Sequence, residues 1–244
     1  MPFTFSHPAI VLPLTFLPRR WYSFTGLVIG SLTPDFEYFL RMRIESKYSH
    51  TLGGIFWFDI PLGIVLAYLF HHIVRDRLFD NMPAVLSARL SRFKHVDWHM
   101  YFKTNWLIVL ISLFIGAVSH LFWDSFTHDH GYFVQKIPAL TNTLDILGFH
   151  VPVLKILQHA STFVGGLAIL FALFRLTPDK SVSGKLNLNY WGIFTLLTLT
   201  IIVIRFINGL DIKQYGNVIV TAISAGLISL VVTPFFYILK KNKY

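Results

Sequence analysis

The chain reads as long apolar stretches separated by short polar punctuation, without the period-two alternation of a transmembrane barrel. A helix needs about 17–25 apolar residues to cross a bilayer. Five stretches meet that requirement: about Phe24 to Leu40, Thr51 to Val74, Trp106 to Phe126, His159 to Leu176 and Tyr190 to Ile207, and a sixth runs from about Val218 to Leu239. Gly26, Gly30, Gly53, Gly54, Gly63, Gly165 and Gly166 fall inside these runs, where small residues let helix backbones approach closely. The start, Met1 to Pro18, is apolar but interrupted by Pro2, Pro8, Pro13 and Pro18. It lacks a basic leading region and a small-residue cleavage site, so it reads as a short N-terminal helical segment and not as a signal peptide. The only sizeable polar connection, Arg75 to Lys103, is amphipathic and partly helical. The pattern predicts an all-α polytopic membrane bundle of about six transmembrane helices.

Composition agrees with this reading. Of 244 residues, 54% are hydrophobic and only 14% charged, and the mean hydropathy is +0.58. Ordinary soluble domains sit near 45–50% apolar and about 25% charged. The net charge of +9 would suggest nucleic acid in a soluble protein, but basic residues flanking spans set orientation and meet anionic lipid instead. Threading six spans back and forth gathers Arg19, Arg20, Arg75, Arg77, Arg89, Arg92, Lys94, Lys103, Arg175, Lys180, Lys185, Lys240, Lys241 and Lys243 on one side. Arg41, Arg43, Lys47, Lys136, Lys155, Arg205 and Lys213 fall on the other, a two-to-one bias that predicts a cytoplasmic C-terminus. No nucleic-acid partner is needed to explain the charge.

With no cysteine in the chain, disulfides, thiolate nucleophiles and cysteine zinc sites are excluded, and any metal falls to histidine and carboxylate. These residues gather at one end of the predicted spans. Asp35 closes the first, His50 opens the second, His120 and Asp124 end the third with His128 and His130 directly after, and His159 opens the fourth. His120 and Asp124 are four apart, so a helix stacks them on one face, and His128 continues that face if the helix runs one turn further. A catalytic zinc takes about three such ligands and an open position for water. Asp35, His50 and His159 complete one centre, or two centres form if His7 and His128 or His130 also take part. Asp59, about two turns beyond His50 inside the second span, reads either as a partner orienting a ligand histidine or as a helix-to-helix hydrogen-bond acceptor. Singly, each of these residues is ordinary for a membrane interface; their shared end of the bundle is what points to a site.

Several ordered motifs carry a resemblance. Met1-Pro2-Phe3-Thr4-Phe5-Ser6-His7-Pro8-Ala9, Gly30-Ser31-Leu32-Thr33-Pro34-Asp35, Ser49-His50-Thr51, Phe58-Asp59-Ile60-Pro61-Leu62-Gly63 and His120-Leu121-Phe122-Trp123-Asp124-Ser125-Phe126-Thr127-His128 resemble DUF4184, a bacterial membrane protein family of unknown function. The likeness covers roughly residues 1 to 180 and divides the chain into a metal-site membrane domain, 1–180, and a C-terminal pair of spans, 181–244, packed on the same bundle. More distantly, the series is similar to predicted membrane-bound metal-dependent hydrolases and to zinc-dependent phospholipase C and P1 nuclease. That similarity implies a helical metal-site core of the phospholipase C type, with ligands at His7, Asp35, His50, His120 and Asp124 and the next at His128 or His130. The soluble enzymes close their set with His-x-x-x-Glu, whereas Ala160, Ser161, Thr162 and Phe163 follow His159. One or two ions, most simply zinc, are therefore expected in place of three.

The expected activity is hydrolysis of a phosphoester in a lipid or lipid-linked substrate, at the outer face of the bacterial cytoplasmic membrane. Metal-activated water attacks, Asp35 or Asp124 takes a proton or serves as ligand, and Arg41 and Arg43, with Lys47, receive the phosphate. Two rival readings are a transporter or proton relay through Asp35, Asp59, His120 and Asp124, and a scaffold whose metal is structural. The cytoplasmic halves of the predicted spans are largely apolar, which disfavours the relay.

Overall fold

A computed structural model describes residues 3–182 and 184–241, with side chains described through residue 236; Met1, Pro2 and Lys243 lie outside the described residues, and the side chains of Lys240 and Lys241 do too. The chain is mostly helical and forms two compact units. The first takes the chain up to Asp35, Tyr48–Gly63 and Asn105–Arg175; the second takes Phe36–Lys47, Ile64–Thr104 and the chain from Leu176 on.

The first unit opens with a one-turn helix, α1 (Pro8–Val11), flanked by 3-10 turns over Thr4–Ser6 and Leu12–Phe16, because four prolines in eighteen residues deny a long helix its donors. Helix α2 (Phe24–Gly30) is capped by Ser23, whose Oγ accepts the Gly26 N–H at 3.2 Å.

Here the expected first span ends early. The chain turns after Gly30, forms a 3-10 turn over Thr33–Asp35, and restarts as α3 (Phe36–Arg41) in the second unit. Pro34 brings no N–H and disfavours helical Thr33. Ser31 and Thr33 also turn their hydroxyls back onto the carbonyls of Val28 and Gly30, at 2.8 and 2.9 Å. The break coincides with the polar run of Ser31, Thr33, Asp35 and Glu37 around Pro34.

Among the described residues, five helices are long and apolar enough to cross a membrane. They are α4 (Leu52–Asn81), α6 (Trp98–Asp124), α8 (Val153–Arg175), α9 (Leu188–Ile207) and Tyr215–Phe236 of α10, which itself extends over Tyr215–Lys241. The remaining expected span, about Phe24 to Leu40, is divided among α2, the Thr33–Asp35 turn and α3. Helix α4 carries two π-helical turns, Ile55–Asp59 and Phe70–Val74, and α6 kinks at Asn105, which has non-helical angles.

The polar connection is helical as expected, through the end of α4 and α5 (Ala84–Leu90). The all-α expectation needs one amendment. After α7 (Tyr132–Lys136), β1 (Thr143–Ile146) and β2 (Phe149–Pro152) pair antiparallel, closed by Leu147 and Gly148 with φ of 53° and 83°. Those are the angles of a two-residue primed turn, which glycine favours.

In the second unit α9 and α10 pack as a helical hairpin, and the loop after α3 is pinned to α10. The Ile44 N–H donates to Asn217 Oδ1 at 2.8 Å, and Thr221 Oγ1 donates to the Met42 carbonyl at 3.3 Å.

Candidate metal centre

Close backbone packing builds the site. A Cβ at Gly30 would sit 2.3 Å from the Leu113 carbonyl oxygen, and one at Gly116 would sit 2.5 Å from that of Leu27. Bare glycines on both helices therefore let α2 lie directly on α6. That approach brings the Ser31 carbonyl to His120 one turn further on, where it accepts from Nδ1 at 2.8 Å. With Nδ1 carrying the proton, His120 Nε2 presents its lone pair inward, the second-partner arrangement that metal-ligating histidines ordinarily use.

The 3-10 turn that ends the first apolar run swings Asp35 into the same space, with no solvent exposure. One of its oxygens, Oδ2, accepts from Thr4 Oγ1; the other, Oδ1, faces His50 Nε2 and His120 Nε2, each at 3.5 Å. His50 lies just before α4, whose N-cap is Thr51, and its Nδ1 is hydrogen-bonded to Ser49 Oγ at 3.1 Å. Asp124 ends α6, with Oδ2 3.4 Å from His120 Nε2 and 3.7 Å from His50 Nε2.

Ligand atoms of Asp35, His50, His120 and Asp124 all lie within 4.8 Å of one another. The nitrogen-to-oxygen separations of 3.4–3.7 Å are longer than good hydrogen bonds, near 2.7–3.2 Å. They match the edge of a tetrahedron with bonds of about 2.1 Å, roughly 3.4 Å. Asp35 Oδ1, His120 Nε2 and Asp124 Oδ2 are buried and make no hydrogen bond among the described residues. Burying such atoms without a partner is costly. Two imidazoles and two carboxylates are a nitrogen and oxygen donor set for zinc or a similar divalent ion, whose charge would balance both carboxylates. The residues present fit a divalent ion.

Charge within the cluster is already organised. Without an ion, burial pushes the Asp35 carboxyl up, but the His120 and His50 imidazoles, when protonated, outweigh it and hold Asp35 below the usual carboxylate range. Burial pulls the His50 imidazole down, and the Asp124 and Asp35 carboxylates more than reverse this, raising it. His7 is lowered, chiefly by burial and then by the neighbouring His120.

The expected site residues divide. Asp35, His50, His120 and Asp124 converge. His7 reaches the cluster from behind: its ring stacks on His120 with centroids 3.7 Å apart, and Nε2 lies 3.2 Å from Asp124 Oδ1. It arrives because the N-terminal turns pack on α8. The Phe3 N–H donates to Thr162 Oγ1, Ser6 Oγ donates to the Thr162 carbonyl, both at 3.0 Å, and Gly165 leaves room for Ser6.

His128 is peripheral. Its Nδ1 donates to the Asp124 carbonyl at 3.0 Å and lies 3.6 Å from Asp124 Oδ2, and burial lowers its pKa. His130 and His159 are exposed and outside the cluster; in α8 it is Gln158 that faces inward, and the next residue turns about 100° away. Asp59 is buried in the π-helical turn that packs against the Asp35 turn, without joining the ligand group.

Arg41 and Arg43 belong to the second unit. Arg41 donates Nε and Nη2 to the buried Glu37 at 2.9 and 2.8 Å, and Arg43 pairs with Glu45 at 3.3 Å. Sequence reasoning missed Thr4, Ser49 and the Ser31 carbonyl as supports of the ligands. Thr4 and Ser49 had one signal, a hydroxyl within a turn of a candidate ligand; the carbonyl had none.

Fold and site together define a polytopic helical membrane protein with a buried two-histidine, two-aspartate cluster. The chain belongs to the DUF4184 family, a domain of unknown function, whose model matches residues 1–235 and so extends through most of α10. No curated protein and no solved structure matches it.

Proposed function

We propose that the chain is a membrane-embedded, metal-dependent hydrolase that cleaves a phosphoester in a lipid or lipid-linked molecule. One observation carries this reading: four side chains from three segments converge with inward lone pairs at metal-ligand spacing. The distant resemblance to phospholipase C and P1 nuclease supports it, as does the situation of the cluster at the ends of α4 and α6 in a chain otherwise made for hydrocarbon. A bound divalent ion, most simply zinc, supplies a Lewis acid for the phosphoryl oxygen and lowers the pKa of water.

The chain's own residues do the rest. His50, with its side chain 23% exposed, is the most open member and stands on the substrate side. Asp124 and Asp35 would hold the ion, and one of them would take a proton from the attacking water as its oxygen bonds to phosphorus and pass it to the departing ester oxygen. His7 and Thr4 keep those carboxylates turned inward through Asp124 Oδ1 and Asp35 Oδ2. Asp59 backs the Asp35 turn. We place the site at the outer face of a bacterial cytoplasmic membrane, with the C-terminus inside.

The test is metal content of detergent-purified protein prepared without chelator, beside His120→Ala and Asp124→Ala. One or two equivalents of zinc, lost in both variants, followed by turnover in a screen of phospholipids and lipid diphosphates, is the expected result. Metal near zero and unchanged by the variants sinks the reading. Bound metal without turnover of any phosphoester replaces it with a structural site.

A further inference from the structure

The cluster is bordered by a cavity that the hydrolytic reading does not use. It lies in the first unit, against His7, with a volume of about 210 Å³, and its walls are Ala9 and Ile10 from α1, Trp123 from the last turn of α6, and Val164 and Ala168 from α8. Two serines also line it, but both spend their hydroxyls on the backbone: Ser6 Oγ donates to the Thr162 carbonyl and Ser161 Oγ to that of Leu157. The walls therefore offer water little, and a space so lined favours hydrocarbon.

Helix α8 faces the bilayer here, since Phe163, Val164 and Leu167 are 73%, 66% and 65% exposed on a membrane-spanning helix. Val164 belongs both to that lipid-facing surface and to the cavity wall, so hydrocarbon from the bilayer is what lies at the margin. On the inner side the wall is His7, 4% exposed, whose Nδ1 has no hydrogen-bond partner among the described residues. Beyond its ring lies His120, in stacking contact.

We propose that this cavity is an acyl-chain subsite: it takes one hydrocarbon tail of a membrane lipid, with the polar end of that lipid toward His7 and the cluster. The substrate of the proposed reaction is then a lipid drawn sideways from the bilayer, and a soluble phosphoester lacks half of its binding site. The small residues that make the space, Ala9 and Ala168, are what a large side chain would abolish. This inference rests on the hydrolytic reading only for the word substrate; the subsite itself is tested without turnover.

The experiment reconstitutes the full chain in vesicles of phosphatidylethanolamine and phosphatidylglycerol. A fraction of the phosphatidylethanolamine carries a diazirine on one acyl chain, and adducts are mapped by peptide after irradiation. Adducts at Ile10 and Ala168 are expected besides those at the bilayer-facing Phe163. In Ala168→Phe the Ile10 adduct should vanish while the Phe163 adduct and the metal content stay, which shows that the variant is folded and inserted. Adducts at Phe163 alone in the parent chain, or an Ile10 adduct that survives Ala168→Phe, overturn the proposal, as does a dimer contact covering Ala168. Cavity adducts with no turnover of any phosphoester leave the subsite standing and defeat the hydrolase; turnover of lipid with no cavity adduct defeats the subsite alone.

Discussion

His7 lies flat on His120, with ring centroids 3.7 Å apart and planes within 13°, while its Nε2 holds the outer oxygen of Asp124 at 3.2 Å. One imidazole thus fixes the tilt of one ligand and the rotation of another without joining the converging group itself. Partners of this kind typically contribute 10–100-fold in metal affinity. His7→Phe should keep the stacked volume and lose the hydrogen bond. Zinc affinity measured by competition with a chromophoric chelator is expected to fall by about 10–100-fold, with stoichiometry unchanged. Loss of the ion altogether would make His7 a ligand.

The same logic separates His159 from the ligands. It is exposed on α8 and apart from the cluster, so His159→Ala should leave zinc stoichiometry and thermal stability as they are. A variant that purifies without metal would mean that α8 turns by one residue when the ion binds.

Packing of α2 on α6 has no spare room. Gly30→Val puts a side chain where a Cβ already meets the Leu113 carbonyl at 2.3 Å, so the helices must part. Overpacking of this kind costs about 1–3 kcal/mol, and parting also withdraws the Ser31 carbonyl from His120. Both a lower midpoint of thermal unfolding and weaker zinc binding are expected. A drop in stability with zinc affinity intact would uncouple the glycine contact from the site.

Proton and metal compete at His50. Its pKa is raised above the ordinary 6.5 by the two carboxylates, so in the metal-free protein its ion pair is fully stabilising below 6.5 and fades as pH rises through the raised value. Asp35, depressed from 3.8, adds stability above that value and loses it only in acid. The ion requires neutral His50, and binding therefore releases a proton. Zinc affinity should climb with pH from 6.5 upward, while the metal-free protein loses stability over the same interval; a pH-independent affinity across that range would remove His50 from the ligand set.

Much of this site was legible because a membrane makes polar residues conspicuous. Asp35, His50, His120 and Asp124 stand out at the ends of apolar runs, and helical spacing alone pairs the last two. Pro34 was visible too, with Ser31, Thr33, Asp35 and Glu37 around it, yet averaging over a whole span length hides so short a polar run, so α2, the Thr33–Asp35 turn and α3 read as one span. The route of His7 was hidden as well: the N-terminal turns lie on α8 and α2 lies on α6, so the chain runs alongside both helices and back between His7 and Asp35. His159 shows the opposite error, a plausible residue one position out of register with the inward-facing Gln158. Arg41 could not be read as Glu37's partner without knowing that Glu37 is buried, and an i, i+4 pair looks alike on either surface.

The chain between His7 and Asp35 runs alongside the long helices and back. The Ser23 N–H donates to Ser112 Oγ at 2.8 Å, about 18 Å along α6 from Asp124 at 1.5 Å per residue. Helix α6 is itself long and apolar enough to cross a membrane. If it crosses whole, Lys94 and Lys136, which flank it in sequence, fall on opposite faces. Because the chain has no cysteine, single replacements report without background. Lys136→Cys should react with a membrane-impermeant maleimide added to intact cells, and Lys94→Cys should react only after lysis. If both react alike, α6 does not cross, and the polar connection shares a face with the Asp124 end of that helix.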